Sequence, residues 1–300
     1  MERKLIKQGI GGLTFYVPNK WVKERNLKAG DMINVEETED KLILSSKKLQ
    51  KKQEIEIKIE SESKEFIRNY LNQLYRLGFD KIKIESNNSE KLLLCQKFSQ
   101  MFLLGFEVTE IKKNFCIIEN VSEPSDEKQP MILRRIFLLI ENSFELLKND
   151  LAKNKPENQK EINRNTKKVT QYDNFLKRNL AKNNLAFGKE FFNWEICNFL
   201  LLIQHSFFHI YEDCNLAKNE KILYDFILQI EKNFQGIYEA FYKKDFQGLD
   251  GFQKQANDIL IKIQKSKLKE INFFHYICEL SRLQYLLCSP IISSFLTIKN

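Results

Sequence analysis

GGLTFYVPNKWVKERNLKAGD (residues 11–31) is the stretch on which the reading of this chain turns. Residues 13–17 read as a strand, rich in β-branched and aromatic side chains, and Pro18 stops it. Trp21, Val22 and Leu27 then fall among Lys20, Lys23, Arg25 and Lys28, and Gly30-Asp31 closes the stretch as a turn. A short basic helix between two strands serves either to pack a core or to touch a partner. Trp21, Val22 and Leu27 are assigned to packing, and the cations around them to the surface.

Upstream, Lys4-Leu5-Ile6-Lys7 leads as a strand into Gly9-Ile10-Gly11-Gly12. Downstream, residues 32–36 alternate apolar and polar side chains, and Glu39-Asp40 turns the chain into a fourth strand at 41–44. Four short strands and one helical turn make a very small unit. Below about 60 residues such a unit buries little surface alone, so it is expected to need a partner. It is also strongly basic: residues 1–30 hold Arg3, Lys4, Lys7, Lys20, Lys23, Arg25 and Lys28 against Glu2 and Glu24. The whole chain carries a net charge of +8, so most of the excess lies in its first tenth. That balance favours an anionic partner, nucleic acid ahead of a membrane surface.

The rest of the 300 residues divides into two further blocks. Residues 54–121 read strand, helix, strand, helix, strand, strand, with an alternating run at 54–60 and a helix stopped by Gly78, which predicts a small α/β sandwich. The polar run 122–130, with Pro124 and Pro130, reads as a linker. Beyond it six amphipathic helices follow, joined by short connections, as in a bundle. A faint echo runs through them: Ile203-Gln204-His205 stands 80 positions before Leu283-Gln284-Tyr285, and Asp173-Asn174-Phe175-Leu176-Lys177 stands 85 before Asp258-Ile259-Leu260-Ile261-Lys262. It predicts a tandem three-helix repeat. The most apolar helix, near 191–210, holds Asn193, Glu195, Asn198, Gln204, His205 and His209, so it reads as a buried helix and not a membrane span. Six cysteines without a C-x-x-C pair, and no apolar leader, point to a reducing cytoplasm.

The first block resembles the SpoVT/AbrB-type swapped-hairpin DNA-binding domain in its archaeal form. The resemblance rests on Pro18 after the second strand, Lys20-Trp21 beyond it, and Leu27-x-x-Gly30-Asp31 before the third, and it covers residues 3–46. It implies a homodimer in which two copies interleave hairpins into one barrel, with double-stranded DNA gripped by Arg3, Lys4, Lys7, Lys20, Lys23 and Arg25. The extended bend at 9–12 departs from the family's compact Gly-Arg turn, so one family contact has no counterpart. The order of the blocks, Arg134-Arg135-Ile136-Phe137, and Asp173 ahead of Phe175-Leu176-Lys177-Arg178 resemble the archaeal PhoU-type phosphate-uptake regulators. That family's metal-holding acids are not matched: Val169, Lys254, His205 and Tyr285 occupy the corresponding positions.

The sequence therefore predicts an α+β multidomain protein. A swapped-hairpin β-barrel head (1–50) precedes an α/β sandwich (54–121) and a PhoU-like six-helix bundle (130–300). The expected function is DNA-binding transcription regulation linked to phosphate uptake, in the cytoplasm, with no membrane insertion. The rivals are a bundle that docks a protein partner through its helical domain, with the head only dimerising, and an antitoxin-like regulator. No phosphate loop or nucleophile motif is present, so neither catalysis nor a cofactor is expected. His205, His209 and Glu212 share a helix face that Asp173 could approach. Two imidazoles and two carboxylates suit zinc, but apolar neighbours make core histidines the expectation and no metal site is assigned.

Overall fold

The computed structural model describes residues 2–9, 11–38, 41–46, 52–122, 128–182, 189–212, 220–266 and 274–296. The chain divides into two units, residues 1–53 and 54–298. In the first, β1 (Ile6–Gln8) pairs antiparallel with β2 (Gly12–Thr14), α1 spans Asn19–Glu24, and β3 (Ile33–Thr38) pairs with β4 (Lys41–Ser46). The two ribbons are separate two-stranded sheets, and the described residues form no closed barrel within one chain. The expected turn at Glu39-Asp40 lies outside the described residues. The second strand is shorter than the sequence pattern, ending at Thr14 although residues 15–17 have strand-forming side chains.

In the second unit, β5 (Glu54–Lys58), α2 (Lys64–Arg76), β6 (Lys81–Glu85), α3 (Ser89–Phe102), β7 (Phe106–Ile111) and β8 (Phe115–Asn120) follow the expected order. The sheet runs β5-β6-β8-β7, with β5 and β6 parallel and the remaining pairs antiparallel. A parallel pair needs a crossover, and α2 supplies it. Alternation then sorts the faces. Ile57, Ile82, Ile84, Cys116 and Ile118 join Ile67, Leu71, Leu74 and Leu92 of α2 and α3 in one apolar cluster. The opposite face is a charged ladder in which Lys83 bridges Glu56 and Lys81 bridges Glu119.

Six long helices follow: α4 (Gln129–Lys153), α5 (Gln159–Lys182), α6 (Lys189–Glu212), α7 (Glu220–Lys243), α8 (Phe246–Lys265) and α9 (Phe274–Phe295). The presumed linker gives up its last residues to α4, because Pro130 sits in the first turn, where its missing N–H costs nothing. Helices α4 to α6 pack as one trio and α7 to α9 as another, and the trios meet through α4 against α7 and α6 against α9. The equivalence extends to side chains. Cys197, Leu200, Ile203, Gln204 and Phe207 are buried on α6 as Ile277, Leu280, Leu283, Gln284 and Leu287 are on α9, 80 positions on. In each trio a polar group on the first helix donates to the glutamine on the third: Ser143 Oγ to Gln204 Oε1 (3.0 Å) and Asn233 Nδ2 to Gln284 Oε1 (2.8 Å). The Asp173–Asp258 match does not share this equivalence, because Asp173 is buried and Asp258 exposed.

Helix α5 joins the sheet layer to the bundle, packing on α2 and α3 on one side and on α4 and α6 on the other. Every residue from Tyr172 to Leu180 is buried, charged ones included. Arg178 is held by Asp80 (2.6 Å) and donates to the carbonyls of Tyr75 (2.9 Å) and Phe79 (2.8 Å), with the Tyr75 and Phe106 rings against its guanidinium. Those carbonyls come from the left-handed turn at Gly78 that ends α2, where the Gly78 and Phe79 N–H groups bond to Tyr75 and Leu74. Gly78 has φ of +95°, a conformation that favours glycine, and a Cβ there would lie 3.0 Å from Lys182 Cγ, which would have to shift. Nearby, Arg76 binds Asp173 (2.9 Å) and Asn174 (2.8 Å), while Asn174 donates to Asn72 and to the Phe102 carbonyl.

Removing Arg178 takes a buried counter-ion from Asp80, which Lys182 also binds (2.9 Å), and a donor from the Tyr75 and Phe79 carbonyls. Arg178→Met is expected to lower stability by about 3–5 kcal/mol. For a unit of this size that is a fall of roughly 6–20 °C in Tm, read by thermal unfolding under far-UV circular dichroism.

Candidate nucleic-acid interface

The six cations expected to meet DNA lie in two groups. Arg3 and Lys4 precede β1 and Lys7 sits on it, opposite Leu13 of β2. Lys20 and Lys23 lie one turn apart on α1, and Arg25 is its C-cap. All are exposed except Arg25, which is half-buried. Its guanidinium lies 4.6 Å from the Trp21 ring centre and 3.8 Å from the Glu24 carboxylate. Glu24 also stands 4.0 Å from Lys20, but exposed pairs at such distances hold their charges weakly. Five of the six ammonium or guanidinium groups are therefore open to an anion.

Local chemistry fixes α1. Pro18 is its N-cap, with φ of −56°, and the Pro18 carbonyl accepts from the Val22 N–H (3.1 Å). Asn26 takes the left-handed region at φ of 49°, so Leu27 donates back to Val22 (3.1 Å) and Asn26 to Lys23 (3.1 Å), ending the helix after two turns. The turn at 28–31 follows. Asp31 donates its N–H to the Lys28 carbonyl, its carboxylate accepts from the Lys28 N–H (2.7 Å), and Gly30 supplies φ of +91° at the third position. The Leu27-x-x-Gly30-Asp31 pattern thus has a mechanical origin.

Among the residues from 2 to 46 whose side chains are described, none is buried. Leu5, Leu13, Tyr16 and Val35 are all more than half exposed, and Met32 is 90% exposed. Trp21, Val22 and Leu27 are half-buried, so within one chain they pack only in part.

The helical unit accounts for the residues weighed for metal. His209 Nδ1 lies 3.0 Å from Glu212 Oε2 and its ring stacks on Tyr276 of α9, with the His205 ring 6.4 Å away. Asp173 does not join them. Its carboxylate is taken by Arg76 and Lys177 (2.6 Å), and Lys177 reaches Asn198, seven residues before His205 on α6. Burial pushes the Asp173 carboxyl up and the Lys177 ammonium down, each against the pull of the other. Among the described residues no group of three or more His, Cys, Asp or Glu side chains is placed to hold a metal ion. Burial raises the Cys95, Cys116, Cys197 and Cys288 thiols, so none of the four is an activated nucleophile. No helix of the described residues is long and apolar enough to cross a membrane.

The sequence reading missed the role of Asp173, Asn174, Lys177 and Arg178. No local signal announced it: Asp173, Asn174, Lys177 and Arg178 fall on one side of α5, as an ordinary wet stripe would, and only the packing of α2 and α3 against that helix buries them.

Burial lowers the His205 imidazole from its ordinary value to about 4. The unfolded chain therefore holds more protons between pH 6.5 and 4, and the neutral ring's contribution is full above 6.5 and lost as pH falls through that window. His205→Leu is expected to remove roughly 2–3 kcal/mol of acid sensitivity, read as a smaller drop in the urea midpoint between pH 7 and pH 4.5 than in the parent.

No protein-family model, no curated protein and no solved structure matches this chain.

Proposed function

We propose that this chain is a DNA-binding transcription regulator that works as a homodimer through its N-terminal unit. One observation carries the reading: exposed cations and uncovered apolar side chains share a unit in which no described side chain is buried. Isolated two-stranded ribbons are marginal in water, and their open edges invite further strands. A second copy supplies both strands and apolar cover, so that Leu5, Leu13, Phe15 and Val35 of the two chains pack together in one shared barrel. The cations stay outside that packing, and Arg3, Lys4, Lys7, Lys20, Lys23 and Arg25 of both copies meet phosphates of double-stranded DNA.

The helical unit is the sensing part of this reading. The tandem three-helix build supports the likeness to phosphate-uptake regulators, and phosphate uptake is the process proposed to be controlled. A ligand or protein partner that binds one spacing of the paired heads better than another shifts DNA affinity by that difference.

The test uses the full chain and labelled genomic fragments. The parent protein is expected at twice 35.7 kDa by light scattering, with DNA affinity that falls steeply with salt. Lys4→Glu with Lys20→Glu is expected to weaken DNA binding at least about tenfold and flatten the salt slope by about 0.9 per lost contact, with the dimer intact. Unchanged retention and slope would sink the DNA assignment, and a DNA-inert dimer would mark the head as a dimerisation device alone.

A further inference from the structure

A crevice of about 670 Å³ opens where α3, α4 and α5 meet, remote in sequence from the N-terminal cations. Its apolar wall is Met101 of α3 with Leu138 and Leu139 of α4, and Tyr172 of α5 is the ring beside them. The rest of the lining is polar, with four cations beside the neutral Gln100, Asn165 and Gln171 and no acid. Arg164, Lys167, Lys168 and Gln171 recur at three and four residues along α5, one face of a helix, and Arg135 faces them from α4. Glu161 neutralises Arg164 at the rim (2.9 Å). Among the described residues Arg135, Lys167 and Lys168 have no acidic partner. Tyr172 carries two of them: Lys168 Nζ lies 4.8 Å from its ring centre, and Arg135 Nη1 lies 3.5 Å from its hydroxyl.

Like charges gathered at i, i+3 and i+4, and faced by another cation, work against the fold unless something anionic joins them. A concave wall of one sign also concentrates its counter-ion. The volume is that of a small-molecule site, far larger than an inorganic anion needs, and the apolar wall calls for a body attached to the charge.

We infer that this crevice binds a nucleoside phosphate. The phosphates sit between Arg135, Lys167 and Lys168, where the guanidinium offers a forked donor. The base lies on Met101 and Leu138, the exposed part of the apolar wall. Because α3 belongs to the sheet layer and α4 and α5 to the bundle, the ligand braces the two across their joint. The inference holds whether or not the head binds DNA.

Equilibrium dialysis of the full chain tests it with ADP, adenosine and inorganic phosphate as separate probes. ADP is expected to saturate at one per chain below about 100 µM, with adenosine and phosphate each at least about tenfold weaker. Arg135→Glu with Lys168→Glu changes exposed groups, so the chain should keep its Tm and lose ADP affinity at least about tenfold. Leu138→Asp should weaken ADP and leave phosphate unchanged, and Lys4→Glu with Lys20→Glu should leave ADP binding untouched. No saturable ADP binding up to about 5 mM would overturn the inference. So would phosphate binding as tightly as ADP, ADP affinity unchanged in the Arg135/Lys168 variant, or ADP binding lost in the head variant.

Discussion

The second unit depends on a set of charges largely withdrawn from water. Arg178 and Asp80 meet at the end of α2, Arg76 and Lys177 share Asp173, and Asn174 closes the gap to α3. Two layers with separate apolar cores are thereby held in one relative position, because each donor accepts only one geometry. An apolar seam of the same area would bind the layers but tolerate sliding. The ionic seam specifies register, and the crevice beside it inherits that precision: Tyr172 is the first residue of the buried run and the ring on which Lys168 and Arg135 converge.

Much of the architecture was legible because its signals are local. Alternation in Glu54-Ile55-Glu56-Ile57 and the stop at Gly78 each act within a few residues, and the strands and helices of the sheet layer follow in the expected order. The repeat was legible through Gln204 and Gln284, since each buried glutamine meets a donor from the first helix of its trio. Asp173 was read too far. Its spacing matched Asp258, but its ionic partner Arg76 lies 97 residues away, and no local pattern announces a contact of that separation.

The N-terminal unit shows the opposite limit. Its turns are fixed by Pro18, Asn26 and Gly30, so its backbone was readable from sequence, yet Leu5, Leu13, Tyr16, Met32 and Val35 stay more than half exposed. Propensity sets where a strand begins. How far it extends is set by the strand beside it, and Phe15 to Val17 lack one here. The expected cations are open to solvent for the same reason that they were recognisable: among the described residues only Glu24, at 3.8–4.0 Å from Arg25 and Lys20, offsets them.

The two trios do not carry equal obligations. On α5 the side chains of Leu176, Asn179 and Leu180 are enclosed, whereas Ile261, Gln264 and Lys265, 85 positions on toward the end of α8, are exposed to solvent. If the trios descend from one duplicated segment, the copies have since lived under different selection. Substitutions accumulate freely on the outer side of α8, while the matching side of α5 is frozen by its neighbours. The older likeness should therefore persist longest where it was found, on α6 and α9, and fade first between α5 and α8.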